Sequence, residues 1–478
     1  MAVSSFQILH MTQMTPNLVF IFPDQFRQQA IGCMGQDPVI TPNLDQLAAD
    51  GLVLTHAVSN FPVCSPYRGM LLTGKYPFSN GVYGCCYSKT APLGIELGEE
   101  TCCFSDILSG AGYSLGYIGK WHLDAPVEEH AEFTEGWRGK PGKRSLWDAY
   151  TPPGPRRHGF DFWHSYGCCD RHLKPHYWEG AAAVDERIDV EGWSVEHETN
   201  VALDYIANKN GVRNSEHPFA LFVAFNPPHP PYDRVPPEYL EAYADAPPEQ
   251  LLNRANFTTD GRGETALKHA RNYFAAVTGI DEQIGRILTA LDRAGLRDDT
   301  IVVFTADHGE MMGSHGLMQK NVWYDESLLV PFIIRWPGRI APGRDDLLLS
   351  VPDIMPSLLS LMGQEGGMPD DVEGNDYSKA LRGQECQRPD SALYLFGDPA
   401  QSERGNRGLR THDYTFAVQR WEGAEEALYL FDNRSDPYQL RNIAASRSDI
   451  VNELQGKLAK WLTQTDDPWI AEGAGQSG

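Results

Sequence analysis

Short apolar runs punctuate the chain, and several of them stop abruptly in polar residues. Residues 17–22 follow Pro16, are closed by Pro23, and lead straight into Asp24-Gln25. Residues 113–118 end in Gly119-Lys120-Trp121-His122, residues 219–225 in Asn226-Pro227-Pro228-His229, and residues 301–306 in Asp307-His308. The run 219–225 shows no polar alternation, the pattern of a strand buried on both faces, and 301–306 reads the same way. Residues 52–55 and 330–336 predict two further strands. Helical signals lie between them. Residues 41–51 carry Thr41 as a cap, Pro42 at the first helical position and Gly51 as a stop. Residues 103–111 and 353–362 predict short helices, and Tyr273, Val277, Ile284, Ile287, Leu288 and Leu291 recur at helical spacing within 265–294. Strands alternating with helices predict an α/β fold with a large, mostly parallel central sheet flanked by helices. From Ser391 the rhythm changes. Residues 393–396, 414–418 and 428–431 predict short antiparallel strands, and 451–462 a closing helix. The expected division is a main domain over 1–390 and a small C-terminal antiparallel subdomain over 391–478. The hundred residues after His122 read as irregular, and there are no internal repeats.

In open α/β sheets ligands bind beyond the carboxyl ends of the strands. The polar groups Asp24, Gln25, Lys120, His122, His229, Asp307 and His308 are therefore expected to converge. Cys64-Ser65-Pro66-Tyr67-Arg68 belongs with them. Ser65 predicts an N-cap and Pro66 the first helical position, which sets Cys64 beside unpaired N–H groups at the positive end of a helix, with Arg68 one turn further in. Such a spot stabilises an anion or a nucleophile attacking one. Taken alone, the same residues also suit a buried structural cysteine.

Cys64-x-Pro66-x-Arg68, followed by Leu72-Thr73-Gly74, resembles the signature of the type I, formylglycine-dependent sulfatases of the alkaline-phosphatase superfamily. The resemblance runs along nearly the whole chain: residues 17–25, 41–45, 64–68, 119–123, 227–232, 307–310, the loop bearing Lys320, and a closing hairpin over 430–440. It implies an alkaline-phosphatase-like fold and a sulfatase that cleaves a sulfate monoester, with a sulfated sugar or oligosaccharide as the expected substrate. It implies that Cys64 is oxidised by a formylglycine-generating enzyme to an aldehyde whose hydrate, a gem-diol, attacks sulfur. Asp24, Gln25, Asp307 and His308 would hold one divalent cation. Ca²⁺ is the leading expectation, and Mg²⁺ or Mn²⁺ also fits. Family members commonly carry Asp-Asp and Asp-Asn at these two places, so Gln25 and His308 are departures that leave the ion open. By the same resemblance Arg68, Lys120, His122, His229 and Lys320 form a positive pocket for the sulfuryl oxygens. His229, assisted by Lys320, would protonate the leaving alcohol, and His122 would deprotonate the second hydroxyl to expel sulfate. A phosphonate monoester or phosphodiester hydrolase of the same superfamily, and an unmodified metal-binding pseudoenzyme, are the competing readings.

Composition narrows the partners. Forty Lys and Arg against 64 Asp and Glu give a net charge of −24 over 478 residues. That excludes nucleic acid and an anionic membrane as expected partners, and leaves a small anion in a locally positive pocket. The first fifteen residues lack both basic residues and a long apolar stretch, so the expected location is the cytoplasm, or the periplasm or exterior if an export signal has been removed. Nine cysteines include the adjacent pairs Cys85-Cys86, Cys102-Cys103 and Cys168-Cys169. These predict reduced, packed thiols. Trp163, His164, Asp170, Arg171, His172, His176, Tyr177 and Trp178 suit either a sugar-binding wall or a packed aromatic loop, and His315 either lines the pocket or fixes its loop.

Overall fold

The computed structural model describes residues 15–470, and the predicted leader-free start before Thr15 lies outside them. Four parallel strands occupy the middle of an eleven-stranded sheet, in the spatial order Thr300–Thr305, Asn17–Ile21, Phe219–Ala224, Ser114–Lys120. Every residue in them is buried, which is why the sequence shows no alternation there. Ile21 lies opposite both Phe304 and Val223, and Ala224 opposite Gly119. All four carboxyl ends therefore stop along one edge.

Outside this block the sheet is mixed, with Phe162–Tyr166 extending it in parallel beside Ser114–Lys120. Phe332–Arg335 runs antiparallel to Thr300–Thr305 and to Leu52–Val58. On the far side Phe162–Tyr166, His176–Glu179 and Ile188–Asp189 pair antiparallel in turn. These last three follow one another along the chain through short connections, and only antiparallel neighbours can be joined so. Several elements escaped the hydrophobic pattern, including Phe162–Tyr166, His176–Glu179 and Ile188–Asp189 in the stretch after His122 that read as irregular. Gly343–Ser350, which runs parallel to Leu52–Val58, opens on polar residues. The helix Ser194–Ile206 begins Ser-Val-Glu-His-Glu-Thr-Asn, yet Val195, Ala202, Tyr205 and Ile206 are buried.

Helix Pro42–Asp50 forms where predicted, but Thr41 does not cap it. Its hydroxyl accepts from Gly32 N at 2.7 Å. The cap comes instead from Asp281 on the long helix Gly263–Arg293, whose carboxylate accepts from Asn43 N (3.2 Å) and Leu44 N (2.7 Å).

A four-stranded antiparallel sheet (Ala392–Asp398, Gln401–Arg410, Tyr414–Arg420, Ala427–Asp432) and helix Ser448–Gln464 complete the fold. Gln401–Arg410 is too polar to read as a strand, because Arg407 is buried against Asp467 at 2.6 Å. Leu393, Leu395, Leu409, Phe416 and Leu430 join the same buried core as the large sheet. Among the described residues no helix is long and apolar enough to cross a membrane.

Candidate active site

The four strand ends interlock beyond the sheet edge. Asp24 N donates to Phe225 O at 2.9 Å and Asp24 forms a parallel bridge with Pro228, while Gln25 N donates to Asp307 Oδ1 at 3.0 Å. Gln25 and His122 both sit in the left-handed backbone region, with φ of 65° and 56°. That conformation is costly for a side chain with a Cβ and persists where the surroundings enforce it. Gly119 has φ of 97°, and a Cβ there would come within 2.3 Å of Ala224 O, so only glycine lets the chain turn and aim Lys120 inward.

Cys64 enters from its own helix, Cys64–Thr73. The predicted cap is two residues out. Val63, in extended conformation, precedes the helix, and Ser65 caps nothing because its hydroxyl accepts from Cys86 N at 3.1 Å. Cys64 is thus the first helical residue, still within the turn whose N–H groups are free. All ten residues of this helix are buried.

One ligand atom each from Asp24, Cys64, Asp307 and His308 lies within 4.8 Å of the others, and all four residues are buried. Cys64 Sγ is 3.4 Å from His308 Nε2 and 3.6 Å from both Asp24 Oδ1 and Lys320 Nζ. In this set the sulfur stands where an oxygen of an oxidised side chain would be. Two carboxylates facing one another in a dry site push Asp307 up to about 6, burial first and the charge of Asp24 second. Burial also opposes the ionised form of Asp24, but Lys120, His229 and His308 outweigh it and hold that carboxyl well below the usual range. A divalent cation fits this donor set, since it would relieve the repulsion between two buried carboxylates that hard oxygen-seeking ions prefer.

The remaining predicted residues are all at this point, in four kinds of place. Arg68 and Lys120 back the carboxylates. Arg68 Nη2 is 3.3 Å from Asp307 Oδ2 and 3.5 Å from Asp24 Oδ2, and Lys120 Nζ donates to Asp24 Oδ2 at 2.6 Å. Gln25 is held sideways: its Oε1 accepts from Lys320 Nζ at 2.8 Å and its Nε2 donates to Tyr232 and Glu310. His122 is buried, yet neither ring nitrogen has a hydrogen-bond partner among the described residues. Burial lowers its pKa, helped by the charges of Lys120 and Arg68 and opposed by Cys64 beside it. His229 and Lys320 are half-buried and mark the open side.

Hydrogen bonding from Cys85 and the charges of Lys120, Lys320 and His308 hold the Cys64 thiol well below its usual range, against the effect of burial. The aromatic run resolves as packing. Trp163, His164, His172, His176, Tyr177 and Trp178 are buried, leaving Asp170 and Arg171 nearer solvent. His315 stacks on Tyr324 with centroids 3.7 Å apart and fixes its loop. Asn226, Tyr232 and Glu310 were not singled out from sequence. Asn226 directly follows a strand, the same signal that marked Asp24, and its Oδ1 accepts from Lys120 Nζ at 3.0 Å.

Glu198 lies beneath the Gly119 turn, where its Oε1 accepts from Tyr177 OH at 2.9 Å. Burial pushes its carboxyl up to about 8 from 4.5. The folded chain then keeps a proton that the unfolded chain loses, so stability falls as pH rises through this window. Glu198→Gln is expected to remove a slope of about 1.4 kcal/mol per pH unit. The measurement is melting temperature against pH for both proteins between those two values.

Comparison with known proteins agrees with this geometry. Residues 16–364 match the model of the Sulfatase family, and residues 313–466 match that of the N-sulphoglucosamine sulphohydrolase C-terminal region. An endo-4-O-sulfatase of Bacteroides thetaiotaomicron is 38% identical over 96% of this chain and 94% of its own length. An ulvan-active sulfatase of Formosa agariphila is 33% identical over 95% and 82%. A solved structure from Bacteroides fragilis, 42% identical, superposes with a TM-score of 0.88 over 96% of this chain and 97% of its own. The chain therefore belongs to the sulfatase family of sulfuric ester hydrolases, close to bacterial carbohydrate sulfatases.

Proposed function

We propose that this sulfatase cleaves sulfate esters of a sulfated carbohydrate, using residue 64 in its oxidised form as nucleophile and one divalent cation held by Asp24, Asp307 and His308. The observation that carries the reading is the buried meeting of those three residues with Cys64, beside the buried ring of His122. Two relatives support the substrate class, one named an endo-4-O-sulfatase and the other ulvan-active. A bound divalent cation, with Ca²⁺ the leading expectation and Mg²⁺ or Mn²⁺ also fitting, would supply positive charge favouring an ionised hydroxyl at residue 64. The hydrated aldehyde supplies two hydroxyls on one carbon, one to attack sulfur and one whose deprotonation expels sulfate, which a plain serine or cysteine cannot do.

The chain's own groups do the rest. Arg68 and Lys120 hold the carboxylates in register rather than lining the open pocket. Lys320, which reaches Cys64 Sγ and Gln25 Oε1, adds charge beside the sulfuryl oxygens. His229, at the open side, gives a proton to the leaving alcohol. His122 takes the proton of the second hydroxyl, for which a buried neutral imidazole is suited.

Protein produced alongside a formylglycine-generating enzyme is expected to yield a residue-64 peptide with the mass of the aldehyde or its hydrate, and to release sulfate from sulfated oligosaccharides. An unmodified thiol in fully active protein would overturn the nucleophile. Turnover of an aryl phosphonate far above that of its paired aryl sulfate would overturn the ester class.

A further inference from the structure

Asp170, His172 and His229 bring three ligand atoms within 4.8 Å of one another at the mouth of the site. Asn226 Nδ2 donates to Cys169 O at 2.7 Å and to Asp170 Oδ1 at 3.2 Å, and lies 3.2 Å from His172 Nε2. Lys120 Nζ, on Asn226 Oδ1, fixes which way that amide points. These contacts tie Asp170 and His172, through Asn226, to the backbone and to Lys120, so the array acts as a hydrogen-bonded support.

What it supports is His229. Its Nδ1 lies 2.8 Å from Pro230 O and 3.4 Å from Asp170 Oδ1. Asp170 is itself gripped from behind. Oδ2 accepts from Arg138 Nη1 at 2.8 Å and its backbone N donates to Glu135 Oε2 at 3.1 Å. The loop before it is pinned by Cys168 N donating to Asp148 Oδ1 at 2.9 Å, with Asp148 Oδ2 bound to His176 Nε2 at 2.7 Å.

We propose that Asp170 is the positioning residue for His229: it holds the Nδ1–H edge of the ring beside a fixed negative charge, leaving Nε2 as the nitrogen that protonates the leaving oxygen. This rests on the reading of His229 given above. In the step, the bond from sulfur to the ester oxygen breaks as the oxygen at residue 64 bonds to sulfur. The ester oxygen keeps the electron pair and takes the proton from Nε2. His229 ends neutral, its Nδ1–H still held by Asp170 and Pro230. Asp170 is suited to this because His229, Arg138 and Lys120 favour its ionised form against the partial loss of water around it.

A proton donor matters most for poor leaving groups, which separates this role from a structural one. The experiment measures kcat and KM on a series of aryl sulfates from acidic to weakly acidic phenols, and on a sulfated hexosamine, for the matured wild type, Asp170→Asn, Asp170→Glu and His229→Ala. His229→Ala should steepen the dependence on the leaving group. Asp170→Asn should steepen it in the same sense, with kcat on the sugar ester falling about 10- to 100-fold, part of the 10²–10⁴ typical of a general acid, and with the most acidic phenol little changed. Asp170→Glu should recover part of the loss. Equal losses on every ester with Asp170→Asn, or a loss confined to KM on the sugar, would overturn the proposal, since they mark a structural or sugar-binding carboxylate. An unchanged slope in His229→Ala would overturn the assignment of His229 itself, and the proposal with it.

Discussion

Replacing Cys64 with alanine is expected to abolish turnover, lowering kcat/KM by more than about 10⁴-fold, because no other group in the site can form and release the covalent intermediate. Cys64→Ser is the more informative variant. Where serine is not oxidised, its hydroxyl can still attack sulfur from the same first helical turn. It lacks the geminal hydroxyl, so His122 has no second proton to take. The expected result is at most one turnover per molecule and an intact protein heavier by one sulfuryl group. Continued multiple turnover by the serine protein, with serine verified at position 64 by peptide mass, would refute the gem-diol mechanism. The melting temperature of both variants should stay near that of the parent, since the change removes or replaces a single atom.

Asp24→Ala is expected to give the largest loss of stability. Asp24 and Lys120 are both fully buried and 2.6 Å apart, and Arg68 leans on the same carboxylate. Removing the acid leaves two cations facing each other in a dry interior. Breaking a buried pair from one side costs about 3–5 kcal/mol. Denaturant unfolding followed by tryptophan fluorescence measures that loss. Elemental analysis of the purified variant is expected to show loss of bound cation as well. Asp24→Ala,Lys120→Met should recover part of the stability but none of the activity, separating the carboxylate's charge-pairing from its chemistry. A single variant as stable as the parent would mean that the pair is far better hydrated than its burial indicates.

The convergence of the site was legible because the signal is local: an apolar strand that stops in a polar residue places that residue at the sheet edge. Asp24, Lys120, His229 and Asp307 all obeyed it. The role of each group was less legible, because it depends on contacts between distant parts of the chain. Arg68 reads as a pocket cation in its motif, and its turn toward Asp307, 239 residues away, is visible only in three dimensions. Ser65 reads as a cap until Cys86 claims its hydroxyl. Thr41 fails for the same reason, since Gly32 engages its hydroxyl and Asp281 arrives from another helix to do its work. The mixed edges of the sheet and the polar strands Gly343–Ser350 and Gln401–Arg410 lie where ion pairs and register, rather than hydrophobic period, decide the structure. The supporting carboxylate of Asp170 carries no motif at all. Its place is set by Arg138, Glu135 and Asn226.

The helix Cys64–Thr73 has no exposed face. It therefore cannot rest on a partly formed protein as an amphipathic surface helix would. It gains its surroundings only when the sheet, helix Val351–Met362 and the loop of Cys85-Cys86 have closed over it. Position 64 thus has two chemical lives, separated by folding. As part of an open chain it is a thiol within reach of any oxidising catalyst that binds its flanking residues. Once enclosed, it meets only molecules small enough to enter past His229 and Lys320. The sulfated end of an ester can follow that route, and on the proposed mechanism a protein that modifies the cysteine would have to come first.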